Sequence, residues 1–309
     1  MSMLCGKDIL RTDLLSDEEL SLILSTAARF ERVCEGGGRL TNMEGQVLAT
    51  LFFEPSTRTR LSFETAMLRL GGQVVTVADP KTSSAAKGET LSDSVRTVAG
   101  YADVIVIRHP RKGSAQEAAD AVDVPVINGG DGTGQHPTQA LLDVYTIQKE
   151  KGTLDGLTVT LAGDLKNGRT VHALVYLLVR FGMRLHFVAP PELRMPSEIT
   201  AELREKGAEI SEGTDLAAAM RESDVVYMTR IQRERFEDPA EYEKLKGSYV
   251  IDMTTVRQAK PGITIMHPLP RVDEIAKEVD AYEGAAYFRQ AANGVPIRMA
   301  LLALVTGRE

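Results

Sequence analysis

The chain is short of cysteine: Cys5 and Cys34 are its only two in 309 residues, and neither stands in a metal-ligand spacing. A disulfide framework and a cysteine-held zinc are therefore excluded as its organising device. It also lacks positive charge overall, with 36 Lys and Arg against 43 Asp and Glu, a net of -7 and a pI near 5.4. General nucleic-acid binding is not expected of such a chain, so a local cluster of arginines needs a local purpose. The first eight residues have no signal-peptide core and no apolar run reaches membrane-spanning length. The expectation is a cytoplasmic protein with no membrane partner. Two nucleotide signatures are missing as well: the Gly-x-x-x-x-Gly-Lys-Ser/Thr loop, and a strand followed by Gly-x-Gly-x-x-Gly with an acidic residue about 20 positions on. No Cys or Ser with a partnered base is evident, so a covalent intermediate is not expected either. Neither a cofactor nor a metal is called for.

What is present is organised around residues 52–64, Phe-Phe-Glu-Pro-Ser-Thr-Arg-Thr-Arg-Leu-Ser-Phe-Glu. Ahead of it, 46–53 is an apolar run of strand length without alternation, which suits a strand covered on both faces. Behind it, Leu61, Met67, Leu68 and Leu70 recur at helical spacing until Gly71-Gly72. The strand thus hands over to a helix at Ser56-Thr57-Arg58-Thr59. A helix start carries unpaired backbone N–H groups and the positive end of the helix dipole, which favour an anion. The hydroxyls there, together with Arg58 and Arg60, suit a phosphate better than a capped surface helix requires.

At 309 residues the chain suits two domains of about 150 residues each. In the first, a helix is predicted over 16–35, capped by Ser16 with Glu19 three residues on, and closed by Gly36-Gly37-Gly38. Strands follow over 73–78, 103–107 and 125–128. Between them lie an exposed loop over 81–88 and helices over 90–100 and 114–122. The Gly-rich loop 129–139 then opens a helix reaching about Lys149. A second series begins near Thr153, with strands over 158–162, 184–188, 209–211, 224–229, 249–253 and 263–266 and a helix over 170–181. Strands alternating with helices imply parallel sheets, whose ligands bind beyond the carboxyl ends of the strands. Arg58, Arg108 and His136 all follow strand ends. The expected fold is α/β, with two doubly wound domains, each a central parallel sheet flanked by helices. The first comprises 1–137 and 291–309, the second 138–290, with the C-terminal helix crossing back to the first.

Phe53-Glu54-Pro55-Ser56-Thr57-Arg58-Thr59-Arg60, Arg108-His109-Pro110, His136-Pro137-Thr138-Gln139 and His267-Pro268-Leu269-Pro270 occur in that order and spacing. In these motifs, and over nearly its whole length, the chain resembles the carbamoyltransferases. Met228-Thr229-Arg230-Ile231-Gln232, and Pro268 where the ornithine enzymes carry Cys, point to the aspartate branch. The resemblance implies transfer of the carbamoyl group of carbamoyl phosphate to the α-amino group of L-aspartate, a step of pyrimidine biosynthesis. By the family pattern Ser56, Thr57, Arg58, Thr59 and Arg108 would hold the phosphate, with Ser83 and Lys87 reaching in from a neighbouring subunit of a homotrimer. Arg58, Thr59, Arg108 and His136 would surround the carbonyl oxygen. Gln139 and the backbone carbonyls of Pro268 and Leu269 would orient the amide end. Arg169, Arg230, Gln232 and Lys87 would bind the aspartate carboxylates. Whether the chain docks to a separate zinc-bearing regulatory chain is left open. Asn167, where some relatives carry Tyr, departs from the pattern beside Arg169, and residues 254–260 match it less well.

The chemistry fits these residues on its own terms. Carbamoyl phosphate is a mixed anhydride, already activated, so an amine attacks it directly and the protein needs only to position two anions and stabilise an oxyanion. Aspartate brings two carboxylates, for which bidentate arginines are better suited than lysines. Ornithine, cationic at its far end, would need carboxylates where this chain offers Arg230. Beside several arginines His136 is expected neutral, donating an N–H to the carbonyl oxygen rather than acting as a base. His109, His172 and His267 are expected to be hydrogen-bonded structural residues, and His186 to lie in a strand without a chemical partner.

Overall fold

A computed structural model describes residues 2–79, 84–233, 236 and 238–309. The chain divides into two compact units, Met1–Leu142 with Asn293–Glu309, and Asp143–Ala292. Both are α/β, and all strand pairings within their sheets are parallel.

The first unit opens with α1 (Asp17–Glu35), whose Ser16 and Glu19 form a reciprocal capping box. There follow β1 (Val47–Phe52), α2 (Thr57–Arg69), β2 (Gln73–Val77), α3 (Leu91–Ala99), β3 (Val104–His109), α4 (Ser114–Ala119), β4 (Val126–Asp131) and the start of α5 (Pro137–Lys151). The sheet order is β2-β1-β3-β4. β1, β3 and β4 are buried almost throughout, as the apolar run of β1 and the apolar start of β3 require, while β2 is a largely exposed edge. One face of the sheet packs Ala49, Leu51, Ile105, Ile107 and Val126 against Val95, Ala115 and Ala118 of α3 and α4. Each fully buried aliphatic side chain of this kind contributes roughly 1.5–3 kcal/mol.

The second unit takes the end of α5, then β5 (Thr158–Ala162), α6 (Arg169–Arg180), β6 (Arg184–Val188), α7 (Ser197–Glu205), β7 (Ile210–Gly213) and α8 (Leu216–Glu222). It continues through β8 (Val225–Met228), α9 (Pro239–Leu245), α10 (Met253–Gln258), β9 (Thr264–Met266) and the first residues of α11 (Tyr287–Val305). The sheet order is β7-β6-β5-β8-β9. On α6 Val171, Leu174, Val175 and Leu178 are buried at helical spacing, which fixes that helix to its unit by one face.

Two expectations are corrected. Residues 249–253 form no sheet strand: Ile251 makes only an isolated bridge to Ile275, and Asp252 caps α10, its carboxylate accepting the Thr255 N–H at 2.8 Å. β4 runs on to Asp131 rather than stopping at Asn128. A bulge sets three residues of β4 against two of β3, because Gly129 and Gly130, the latter at φ +116°, bend without leaving the ladder. The boundaries of the compact units fall at Leu142/Asp143 and Ala292/Asn293, inside α5 and α11. A helix that continues through a boundary gives the sequence no breaker to mark it. In the first unit the C-terminal segment is held by Gly6 N–H donating to the Val305 carbonyl at 2.8 Å and by Asn42 Nδ2 donating to the Arg308 carbonyl at 2.8 Å. No helix among the described residues is long and apolar enough to cross a membrane.

Candidate active site

Each sheet reverses its strand order once. In the first unit β1 is flanked by β2 on one side and β3 on the other, so the carboxyl ends of β1 and β3 border a topological switch point. In the second, β5 and β8 do the same. Open α/β sheets bind ligands at such points. Ser56, Thr57, Arg58 and Thr59 follow β1, and Arg108 is the penultimate residue of β3. In the other unit Arg169 opens α6 after β5, Arg230 and Gln232 follow β8, and Pro268 and Leu269 follow β9.

The first of these loops is built for an anion. Ser56, the N-cap of α2, donates its hydroxyl to Thr59 Oγ1 at 3.0 Å and does not cap the backbone, and the first turn holds no acidic residue. The leading N–H groups and the dipole of a 13-residue helix are therefore opposed by no carboxylate of their own turn. Arg60 is drawn along the helix towards Glu64, at 3.6 Å, so the two arginines part company. Arg58 is exposed, and partial burial is the one resolved influence on it, lowering its pKa from the ordinary value without ending its charge.

Arg108 ties this loop to the next. Only 8% exposed, it donates from Nη2 to Glu54 Oε1 at 2.5 Å and from Nη1 to the Gly129 carbonyl at 3.0 Å. Its guanidinium thus touches both the β1–α2 turn and the bulged end of β4. The loop after β4 is organised by Asp131, the buried last residue of that strand, which accepts from Gln135 N–H at 2.7 Å, Gly113 N–H at 2.8 Å and Asn128 Nδ2 at 3.2 Å. His136 follows, 5% exposed, its carbonyl accepting the Gln139 N–H at 3.0 Å in the first turn of α5. Buried Arg298 of α11 lies over the Phe63 ring of α2, 5.0 Å from its centroid, with Nη2 3.5 Å from Thr138 Oγ1. It braces the two helices whose amino ends carry the candidate residues.

In the second unit buried Asp164 closes the turn before Arg169, accepting from the Asn167 N–H at 3.0 Å and from Asn167 Nδ2 at 3.1 and 3.2 Å. Gln232 Nε2 reaches the Asn167 carbonyl at 3.5 Å and so links the loops after β5 and β8. Gly163, at φ +108°, lets the chain pass Thr229: a Cβ there would stand 2.2 Å from the Thr229 carbonyl oxygen. After β9, His267 Nε2 lies 2.7 Å from Glu274 Oε1 and its Nδ1 accepts the Leu269 N–H at 2.8 Å. Burial pushes the His267 pKa down against the pull of Glu274, so the ring is neutral.

A wide depression of about 600 Å³ lies at the opposite, amino-terminal ends of the first sheet's strands, lined by Cys5, Gln46, Tyr101, Asp103 and Val305 among others. No Lys or Arg lines it, so it does not compete as a site for anions.

Residues 7–149 match the family described as aspartate/ornithine carbamoyltransferase, carbamoyl-P binding domain, and residues 155–305 match its Asp/Orn binding domain. The chain belongs to the aspartate/ornithine carbamoyltransferase family. Within that family it is 53% identical to the aspartate carbamoyltransferase catalytic subunit of Thermococcus gammatolerans over 302 residues, 98% of each chain. It is 53% identical to that of Methanopyrus kandleri over 308 residues, 99% of each. Among solved structures, aspartate transcarbamoylase of Trypanosoma cruzi in complex with N-(phosphonacetyl)-L-aspartic acid is similar at TM-score 0.94 and 43% identity, covering 99% of this chain and 97% of that one. The catalytic subunit of M. jannaschii aspartate transcarbamoylase is similar at TM-score 0.90 and 50% identity, covering 96% and 97%.

Of the residues expected to act in such a carbamoyltransferase, Ser83 lies outside the described residues, and Lys87, itself exposed, ends the single turn Ser84–Lys87. Ser56, Thr57, Arg58, Thr59, Arg108, His136 and Gln139 fall in the first unit, and Arg169, Arg230, Gln232, Pro268 and Leu269 in the second. His109 takes a structural part, its Nδ1 accepting the Arg111 N–H at 3.0 Å and its ring tilted against Phe53. His172 bonds the Leu165 carbonyl at 2.7 Å. Sequence reasoning missed the supporting residues Glu54, Asn128, Asp131, Asp164, Glu274 and Arg298. For Asn128, Asp131 and Asp164 the signal available was a polar residue next to Gly at a strand end; Glu54, Glu274 and Arg298 carry no such mark. Among the described residues no group of three or more His, Cys, Asp or Glu is placed to hold a metal ion.

Proposed function

We propose that the chain is the catalytic subunit of an aspartate carbamoyltransferase, transferring the carbamoyl group of carbamoyl phosphate to the α-amino group of L-aspartate. The observation that carries this reading is the pair of switch points furnished with arginine, Arg58 and Arg108 in one unit and Arg169 and Arg230 in the other. Each pair suits one of two small anions that must be held close despite their repulsion. Ser56, Thr57, Arg58, Thr59 and Arg108 take the phosphate, while Arg169, Arg230 and Gln232 take the aspartate carboxylates.

The amine nitrogen bonds to the carbamoyl carbon, the bond to the bridging oxygen breaks, and phosphate leaves with the electron pair and takes up the proton that the amine gives up. Arg58, Thr59, Arg108 and His136 donate to the carbonyl oxygen as it gains charge. One such donor is worth about 10²- to 10³-fold in rate. Gln139 and the Pro268 and Leu269 carbonyls take the amide end.

Lys87, exposed at the end of its turn, acts in the site of a neighbouring subunit of a homotrimer. An inactive Arg58→Ala chain mixed with an inactive Lys87→Ala chain would then recover part of the activity. Failure of verified mixed trimers to recover any would end the sharing. The reading itself is tested by titration calorimetry with N-(phosphonacetyl)-L-aspartate. Tight binding at one ligand per chain is expected, weakened severely by either Arg58→Ala or Arg169→Ala. Indifference to one of these substitutions would contradict the use of both arginine sets on one ligand.

A further inference from the structure

The turn that follows β9 is held from both ends by side chains that the reaction does not consume. At its start His267, 1% exposed, donates its backbone N–H to Gln290 Oε1 at 2.8 Å. Gln290 Nε2 donates in turn to Asp143 Oδ1 at 2.6 Å, and Tyr227 donates its hydroxyl to Asp143 Oδ2 at 2.8 Å. Asp143 and Tyr227 are wholly buried and Gln290 nearly so. At its far end Arg271 binds Asp280, with Nη2 and Oδ2 at 2.7 Å, donates to the Tyr287 hydroxyl at 2.9 Å, and lies over the Tyr287 ring.

The His267 ring has a defined tautomer. A backbone N–H can only donate, so Nδ1, which receives the Leu269 N–H, carries no proton. Nε2 therefore carries it and donates to Glu274 Oε1, while Glu274 Oε2 accepts the Val272 and Asp273 N–H groups at 3.2 Å. Both ring nitrogens are thus engaged, and the imidazole cannot turn without losing a bond. Leu269 stands at φ +52°, a left-handed conformation that a leucine avoids unless something holds it there. The bond from its N–H to Nδ1 is the local contact that holds it. In that conformation the carbonyls of Pro268 and Leu269 accept no hydrogen bond from a described residue, although both residues are half-buried.

We propose that His267 is a positioning residue that selects for the amide of the donor substrate: as the Nε2–H tautomer it fixes the Leu269 turn so that the Pro268 and Leu269 carbonyls receive the two N–H bonds of the carbamoyl group. The proposal rests on the carbamoyl transfer argued above and adds to it a source of donor specificity. Acetyl phosphate has the same phosphate and carbonyl but a methyl group where carbamoyl phosphate has its NH2. Two carbonyls aimed at that position distinguish the donors, since a methyl group leaves both acceptors without a partner.

Two substitutions separate the ring nitrogens. His267→Gln places an amide NH2 near the Nε2 position and removes the acceptor for Leu269; His267→Asn places an oxygen near the Nδ1 position. The readout is the ratio of kcat/KM for carbamoyl phosphate to that for acetyl phosphate, with aspartate as acceptor. His267→Gln is expected to lower the ratio about tenfold, the equivalent of one to two neutral hydrogen bonds. His267→Asn is expected to recover most of it, with both variants losing comparable thermal stability. Equal loss on both donors, or no difference between the two variants, overturns the proposal. Should His267→Gln fail to fold, 15N spectra of imidazole-labelled wild-type enzyme decide. An unprotonated Nδ1 with a protonated Nε2 is expected at neutral pH, and the reverse tautomer overturns the clamp. Absence of wild-type turnover with aspartate would instead remove the carbamoyltransferase reading, so the two failures are distinct.

Discussion

Replacing Arg108 with methionine keeps the buried stem of the side chain and deletes its guanidinium. Among the bonds lost are one to the Glu54 carboxylate at 2.5 Å and one to the Gly129 carbonyl at 3.0 Å, both donated by the charged guanidinium. A hydrogen bond that involves a charged group is worth about 1.5–3 kcal/mol, the low end applying to the uncharged carbonyl acceptor. The Glu54 side chain is 29% exposed, so water recovers part of its loss. A net destabilisation of about 2 kcal/mol follows, which in a unit of this size is a fall in Tm of about 4–8 °C. The effect on catalysis is larger, because the same guanidinium is assigned to the phosphate and to the developing oxyanion. Loss of one such donor lowers kcat by about 10²- to 10³-fold. Arg108→Lys retains the positive charge but cannot span both Glu54 and Gly129, so it is expected to restore stability further than it restores rate. The assay is steady-state phosphate release alongside a thermal melt. If Arg108→Met keeps its rate within about threefold while its Tm falls as stated, Arg108 is a structural brace and its assigned role is wrong.

Other perturbations report on other parts of the account. Asp131→Ala deprives the Gln135 and Gly113 N–H groups and Asn128 Nδ2 of their acceptor. It should cost about 2–4 kcal/mol in denaturant unfolding, and an unmoved midpoint would contradict the role given to Asp131 in holding the loop before His136. Asn167→Ala opens the turn closed on Asp164 and is expected to raise KM for aspartate about fivefold with KM for carbamoyl phosphate unchanged; the opposite pattern would contradict the division between the units. Burial would raise the Asp224 pKa, but Lys260 Nζ at 2.6 Å and the Thr158 N–H at 2.9 Å outweigh it and hold the carboxyl below its usual range. Its contribution to stability is therefore complete above the unfolded value of about 3.9 and is lost as pH falls below it. The Tm difference between wild type and Asp224→Asn should shrink on acidification below about pH 4, and a difference that grows there would refute the sign.

The alternation of strands and helices was plain in the sequence wherever a strand was buried on both faces. β1 and the start of β3 read as apolar runs, and the bounds of β1, β3, β5 and β6 differ from the expected ones by two residues at most. Short amphipathic helices were harder. α8 and α9 announce themselves only by Asp215 and Asp238, which accept the Ala218 and Ala240 N–H groups at 2.9 and 2.8 Å. A lone Asp before a short helix is indistinguishable in sequence from an Asp in a turn. The same ambiguity turned 249–253 into an expected strand. Its apolar residues are real, but Asp252 and Thr255 spend the backbone hydrogen bonds on starting α10. Positive groups at strand ends were legible because arginine is rare in a loop without a purpose. Their supports were not, since Asp131, Asp164 and Glu274 acquire meaning only from backbone N–H groups that folding brings to them.

The central claim is that arginine, not carboxylate, meets the side chain of the attacking amine. Steady-state assays with carbamoyl phosphate and either L-aspartate or L-ornithine test it directly, with phosphate and the carbamoylated product both measured. The account predicts N-carbamoyl-L-aspartate and phosphate in equal amounts from aspartate, and no turnover of ornithine. Turnover of ornithine without turnover of aspartate would contradict it.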